Sequence, residues 1–126
     1  MSSFRVLVTS TSFQDTPGRH HDALAREGLE IERARGPLSE TEMLRRVGPF
    51  DGLLCGDAAL TRAVLEKARP RLRVVAKYGV GTDAIDLAAA AALGIPVGNC
   101  PGGNHVAVAE LAIGLMIAIV RSIPQE

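Results

Sequence analysis

Short apolar segments rich in β-branched residues alternate with longer mixed segments along the whole chain. The apolar segments predict five strands, at residues 4–9, 29–34, 51–55, 72–77 and 95–98. The mixed segments predict helices at residues 20–27, 39–48, 60–68 and 85–93, and a last helix that begins at Asn104 or His105 and ends near Arg121. The polar segment at residues 10–16 is predicted to form a loop.

This alternation is typical of a parallel sheet with helices on both faces. With right-handed crossovers, it predicts an α/β fold: a flavodoxin-like, doubly wound, five-stranded parallel sheet. Helix boundaries support the assignment. Ser39 and Glu42 form a capping-box pattern, and Thr61 is a candidate helix cap.

The last predicted helix is apolar on all sides. From Val106 to Val120 its only charge is Glu110, and the only other non-apolar residue is Gly114. It is too short to span a bilayer, which needs about 20 residues, so it must be buried against protein. We expect the sheet to cover one face and a second domain or subunit to cover the other, with a homo-oligomer formed through residues 105–120.

Composition narrows the class of partner. The chain has 126 residues, 47% of them hydrophobic, which suits one domain. A formal net charge of zero and 3% aromatics argue against nucleic acid as a ligand. The start lacks an apolar signal region, which predicts a cytoplasmic protein, and no membrane contact is expected. Cys55 and Cys100 predict free thiols, both buried or half-buried, and no residue spacing suggests a metal site.

The residues K-Y-G-V-G-T-D-A at 77–84 follow a predicted strand and match G-x-G-x-x-A. We reject a dinucleotide site because this is the fourth strand–helix unit, no acid follows the next strand, and Asp83, a candidate helix cap, would repel a pyrophosphate. The two glycines of the loop allow a sharp turn and leave backbone N–H groups uncovered, and such groups before a helix suit a small anion such as a carboxylate. A tight turn without a ligand is the open alternative.

The remaining polar candidates favour structural roles. Asn104 is expected to cap the last helix, although Glu110 in that helix needs a partner or water. His20 and His21 are expected on the surface, pointing in different directions, and His105 at the surface of a helix start. No catalytic set can be assembled from the residues alone.

Three motifs over residues 72–124 resemble the D-2-hydroxyacid dehydrogenase family, near its phosphoglycerate dehydrogenase branch. They are K-Y-G-V-G-x-D-x-I-D at 77–86, G-I-x-V-x-N-x-P-G-x-N at 94–104, and A-V-A-E at 107–110, followed by an apolar helix that ends in arginine. The family has Asn where Ala84 stands, and often an arginine after the third strand, where this chain has Gly56 and Asp57. A free Asp57 would repel a phosphorylated or dicarboxylic substrate.

The resemblance implies a substrate domain, residues 1–103, and an interdomain helix, 104–126, that crosses into a Rossmann NAD domain. The N–H groups of Val80 and Gly81 would hold the carboxylate of a small 2-hydroxy or 2-keto acid. Tyr78 and Gly79 would shape the loop, and Asn104 would lie near the cleft.

The family's NAD fingerprint and its catalytic Arg, Glu and His match no residue of this chain. We therefore expect no catalytic residue, cofactor site or metal site in these 126 residues, with NAD belonging to the complete family enzyme. The chain is interpreted as a truncated substrate-binding portion of an NAD-dependent oxidoreductase, not competent alone. The alternatives are a stand-alone small-acid-binding or regulatory module, and an interaction protein with an empty glycine loop.

Overall fold

The computed structural model describes residues 3–123 and has one five-stranded sheet, in which all strands are parallel and ordered β2-β1-β3-β4-β5. The strands are β1 (Arg5–Val8), β2 (Glu30–Arg33), β3 (Gly52–Cys55), β4 (Val74–Lys77) and β5 (Val97–Gly98). The helices are α1 (Thr11–Asp15), α2 (Arg19–Arg26), α3 (Glu40–Arg46), α4 (Arg62–Ala68), α5 (Leu87–Ala92) and α6 (His105–Val120). The predicted α/β class and flavodoxin-like strand order are confirmed.

Apolar residues fill both faces of the sheet because side chains of a strand alternate between faces. On one face Leu7 packs in a large cluster with residues of β3, β4 and helices α3, α4 and α5. On the other face Val6, Val8 and Phe13 form a smaller cluster beside α2. Strands β1 and β3 are thus covered on both sides, whereas one side of β4 is open, with Val74 38% exposed. The carboxyl ends of all the strands lie at one edge.

The predicted caps are confirmed for helices α3 and α4 and wrong for α5. Ser39 and Glu42 form the reciprocal capping box of α3, and the Thr61 hydroxyl accepts from the backbone of α4. Asp83 does not cap α5; the carboxylate of Asp86 accepts from the N–H of Ala89 at 2.8 Å instead. The chain makes a further turn after Gly81 before the helix begins, which places Asp86 at the cap.

The polar loop predicted at residues 10–16 is wrong, because α1 lies there. The hydroxyl of Ser10 accepts from the N–H of Phe13 at 3.2 Å and caps the helix. Phe13 is only 4% exposed, so its burial against the sheet stabilises a five-residue helix whose sequence is otherwise polar. One apolar residue in a short polar segment gives no periodicity from which a helix could be predicted.

Helix α6 was expected to lie with one face on the sheet, and that expectation is wrong. None of its residues is buried, and nine of its large apolar side chains are 48–81% exposed. One face of β4 stays open, with Val74 38% exposed, but α6 does not pack on it. Within residues 3–123, no helix has the length and apolar character needed to cross a membrane.

Candidate substrate-binding cleft

A cleft of about 550 Å³ lies at the carboxyl edge of the sheet. It is formed by the segments that follow β1, β3 and β4 and by the turn before α6. The lining residues are Ser10, Ser12, Gly56, Asp57, Lys77, Tyr78, Gly79, Val80, Gly81, Cys100, Gly103 and Asn104. The five residues singled out as substrate-binding, namely 78–81 and 104, are therefore together in one place. Ligands of open α/β sheets bind at this edge.

The glycine loop after β4 is held by its carbonyl groups. The carbonyl of Gly79 accepts from the N–H of Cys100 at 2.9 Å, and that of Val80 accepts from the side-chain amide of Asn99 at 2.9 Å. These bonds tie the loop to the segment that follows β5. The carbonyl side of the loop is thus occupied by protein.

The N–H side of the same loop is open. Among residues 3–123, the N–H groups of Val80 and Gly81 donate to no acceptor, and both residues are exposed in the cleft. Successive uncovered N–H groups in a turn form a concave site for a small anion. The loop can therefore accept a small anion, and a tight turn without a ligand stays the alternative.

Only one of the two loop glycines is required by the backbone. Gly79 has φ +136°, a conformation that other residues rarely adopt. Gly81 has no positive φ, and a Cβ there would meet only the carboxylate of Asp83, at 3.8 Å. At Gly81 the missing side chain instead leaves the N–H groups of the loop open to the cleft.

Lys77 was missed as a site residue. It is 8% exposed, lines the cleft, and donates from Nζ to the Gly56 carbonyl and to Asp57 Oδ1, both at 2.7 Å. Asp57 is therefore not an isolated negative charge, because the ammonium group of Lys77 pairs with it. A lysine closing an otherwise apolar strand was the signal, since burying an unpaired charge is costly.

Asn104 and Cys100 differ from expectation. Asn104 occupies the residue before α6, but its side chain makes no capping hydrogen bond, because its backbone (φ −134°, ψ 6°) is not the extended one of a typical cap. Cys100 is exposed in the cleft because β5 ends at Gly98. Cys55 is buried as expected, and burial raises the pKa of its thiol to about 11.

His20 and His21 do not point in different directions. Their ring centroids are 4.1 Å apart, and both rings meet Phe13 edge-on. Their Nε2 atoms lie 3.1 and 3.0 Å from the carbonyls of Phe13 and Thr16, the last turn of α1 and its C-cap. His20 and Tyr78 also approach each other, with centroids 6.5 Å apart. Both rings contact the same short helix, α1, and therefore lie on the same side of it. The sequence does not reveal these contacts.

The loop does not fit a dinucleotide. Helix α5 begins at Leu87, well beyond the glycines, and the Asp86 carboxylate occupies the N–H of Ala89 at its start. A pyrophosphate would therefore meet a carboxylate instead of free helix donors. In the described part of the chain, no cluster of three His, Cys, Asp or Glu residues could hold a metal ion.

Residues 6–118 match the profile described as D-isomer specific 2-hydroxyacid dehydrogenase, catalytic domain. The chain belongs to this family. D-3-phosphoglycerate dehydrogenases of Archaeoglobus fulgidus and Methanocaldococcus jannaschii are 38% and 42% identical over 104 and 109 residues, or 82% and 84% of this chain. A crystal structure of a Thermus thermophilus protein aligns with TM-score 0.82 and 38% identity over 95% of this chain. The resemblance drawn from the three motifs is confirmed.

The match covers most of this chain but a small part of its relatives. The chain spans 20% of the two dehydrogenases and 38% of the Thermus thermophilus structure. The chain thus corresponds to one portion of larger family proteins.

Proposed function

We propose that this chain is the substrate-binding portion of an NAD-dependent D-2-hydroxyacid dehydrogenase. In this proposal, the free N–H groups of Val80 and Gly81 bind the carboxylate of a small 2-hydroxy or 2-keto acid. Tyr78 and Gly79 shape the loop, and Asn104 borders the bound acid. The observation that carries the proposal is the pair of unpaired N–H groups inside a cleft at the carboxyl edge of the sheet.

The chemistry of the cleft supports binding without turnover. Oxidation of a hydroxy acid needs a group to take the hydroxyl proton and an acceptor for the hydride. Among the described residues, the titratable side chains that line the cleft are Asp57, Lys77, Tyr78 and Cys100, and Asp57 and Lys77 are paired with each other. The histidine, arginine and glutamate of the family's catalytic set are not among them. We therefore propose that the proton-transfer group and NAD are supplied by a further domain, as the family resemblance implies.

The exposed helix supports the same division of the protein. We propose that residues 1–103 form the substrate domain and that residues 104–126 lead into the NAD domain; residues 124–126 lie outside the described part. The nine exposed apolar side chains of α6 would be covered by that domain and by a second copy of the protein.

Thermal unfolding of the chain with D-lactate, D-glycerate, pyruvate and NAD tests the proposal. An acid at one hundred times its dissociation constant adds about 2.7 kcal/mol to the free energy of unfolding. We expect an increase in melting temperature with at least one acid and none with NAD. An increase with NAD alone would contradict the proposal.

Two glycine variants test whether the acid binds at the loop that contains Gly81. Gly81→Ala adds a methyl group in the cleft at ordinary contact distance from Asp83, and Gly48→Ala adds one in open space elsewhere. Both variants should melt like the wild type without ligand. Only Gly81→Ala should lose the increase with the acid, and an equal response of the two variants would place the acid elsewhere.

A stand-alone acid-binding module is the second candidate, because both proposed N–H donors, those of Val80 and Gly81, belong to the described part of the chain. The gene sequence distinguishes the two: an NAD-domain reading frame continuing after Glu126 supports the dehydrogenase, and a stop codon there supports the module.

A further inference from the structure

The cleft contains one buried cation whose hydrogen bonds are incomplete. Lys77 Nζ carries three N–H donors, of which the Gly56 carbonyl and Asp57 Oδ1 take two, each at 2.7 Å. No third acceptor lies within hydrogen-bond distance among residues 3–123. Lys77 lines the cleft, so the remaining donor can reach a molecule bound there. Because the side chain is only 7% exposed, little water competes for this donor.

The cleft is also electrically balanced. Lys77 and Asp57 are the only charged residues that line it in the described part of the chain, and they are paired. Asp57 is 84% exposed at its side chain, so water holds its outer oxygen in place of protein. A second anionic group on a ligand would face this carboxylate, and its attraction to Lys77 would be offset.

We propose that Lys77 and Asp57 form a specificity pair that selects acids whose second polar group is uncharged. This inference rests on the proposed carboxylate site at Val80 and Gly81. The third donor of Lys77 binds a hydroxyl or carbonyl oxygen of the same acid, while Asp57 disfavours a phosphate or second carboxylate. The substrate class is thus a small 2-hydroxy acid with a neutral polar side group.

D-glycerate and D-3-phosphoglycerate are suitable probes because they differ only in the phosphate. Calorimetric titration of the wild-type chain is expected to give glycerate an affinity at least equal to that of phosphoglycerate. Asp57→Asn exposes the charge of Lys77 and should shift the affinity ratio toward phosphoglycerate by at least about fivefold. That factor corresponds to about 1 kcal/mol, the interaction of two unit charges 4 Å apart in water.

Asp83→Asn is the matched control, since it removes the same charge beside the loop without touching Lys77. In Asp83→Asn, the ratio of the affinities for glycerate and phosphoglycerate should change clearly less than in Asp57→Asn. A wild-type preference for phosphoglycerate, an unchanged ratio in Asp57→Asn, or equal changes in both variants would overturn the specificity pair alone. Absence of binding of both acids to the wild type and both variants would overturn the carboxylate site and, with it, this inference.

Discussion

Replacing exposed apolar side chains of α6 with glutamine should abolish self-association without destabilising the domain. The triple variant Leu111→Gln, Met116→Gln and Ile119→Gln changes side chains that are 63%, 62% and 74% exposed. None of them belongs to a buried cluster. Glutamine has a helix propensity close to that of leucine and methionine, so the helix should be retained.

The magnitude follows from the exposed area. Full burial of a Leu, Ile or Met side chain is worth about 1.5–3 kcal/mol, so covering the exposed part of each contributes roughly 1–2 kcal/mol. Three substitutions should then remove about 3–6 kcal/mol from an interface that covers this surface. A loss of about 3 kcal/mol weakens association more than one-hundredfold. The free energy of unfolding of the isolated domain should change little, as at other surface positions.

Sedimentation equilibrium over a range of protein concentrations measures the association, and urea unfolding measures stability. The control is Leu87→Gln, which changes a 47% exposed leucine at the start of α5 and should leave the association as in the wild type. A wild-type chain that stays monomeric at high concentration, or a triple variant that associates like the wild type, would refute the reasoning. Strong destabilisation of the triple variant would show that α6 packs on its own domain.

Three further predictions concern single residues. The pKa of Asp51 is lowered by an arginine side chain and a backbone N–H, so its stabilisation is complete above the unfolded pKa near 3.9 and is lost at lower pH. Asp51→Asn should cost about 1–3 kcal/mol at neutral pH, and the difference from wild type in denaturant unfolding should shrink as the pH falls below about 4. Of the two thiols, only the exposed Cys100 should react with a thiol reagent at pH 8, with Cys55 reacting after unfolding; two fast thiols in the folded chain would contradict this. Gly79→Ala should cost about 1–3 kcal/mol because of the positive φ, with Gly48→Ala as a control of nearly unchanged melting temperature.

Much of the fold could be predicted because its signals are local. A capping box such as that of Ser39 and Glu42 lies within four residues, and the central strands are short, largely apolar segments. The strand–helix alternation then leaves few topologies for a parallel sheet. The glycine loop could be placed at the carboxyl edge for the same reason, because the position of β4 in the alternation was evident.

What could not be predicted depends on contacts between distant residues. Lys77 and Asp57 are 20 positions apart and meet only because β3 and β4 are neighbours with aligned ends. In the sequence Asp57 is an isolated negative charge, whereas in the structure it is paired with the ammonium group of Lys77. The packing of His20 and His21 on Phe13 likewise depends on the approach of two short helices.

The cleft and the exposed helix are connected through Asn104, which lines the cleft and directly precedes α6. A body that packs on the apolar surface of α6 therefore lies close to the free N–H groups of Val80 and Gly81. The same partner can thus close the open side of the cleft and cover the exposed apolar side chains of α6. The apolar contact would position that partner, and its polar groups would then complete the chemistry that the cleft lacks. Ligand affinity should accordingly rise when the helix is covered, since closure excludes water from the carboxylate site. If a longer chain that continues through the NAD domain bound D-glycerate no more tightly than residues 1–126 do, the helix and the cleft would be independent features.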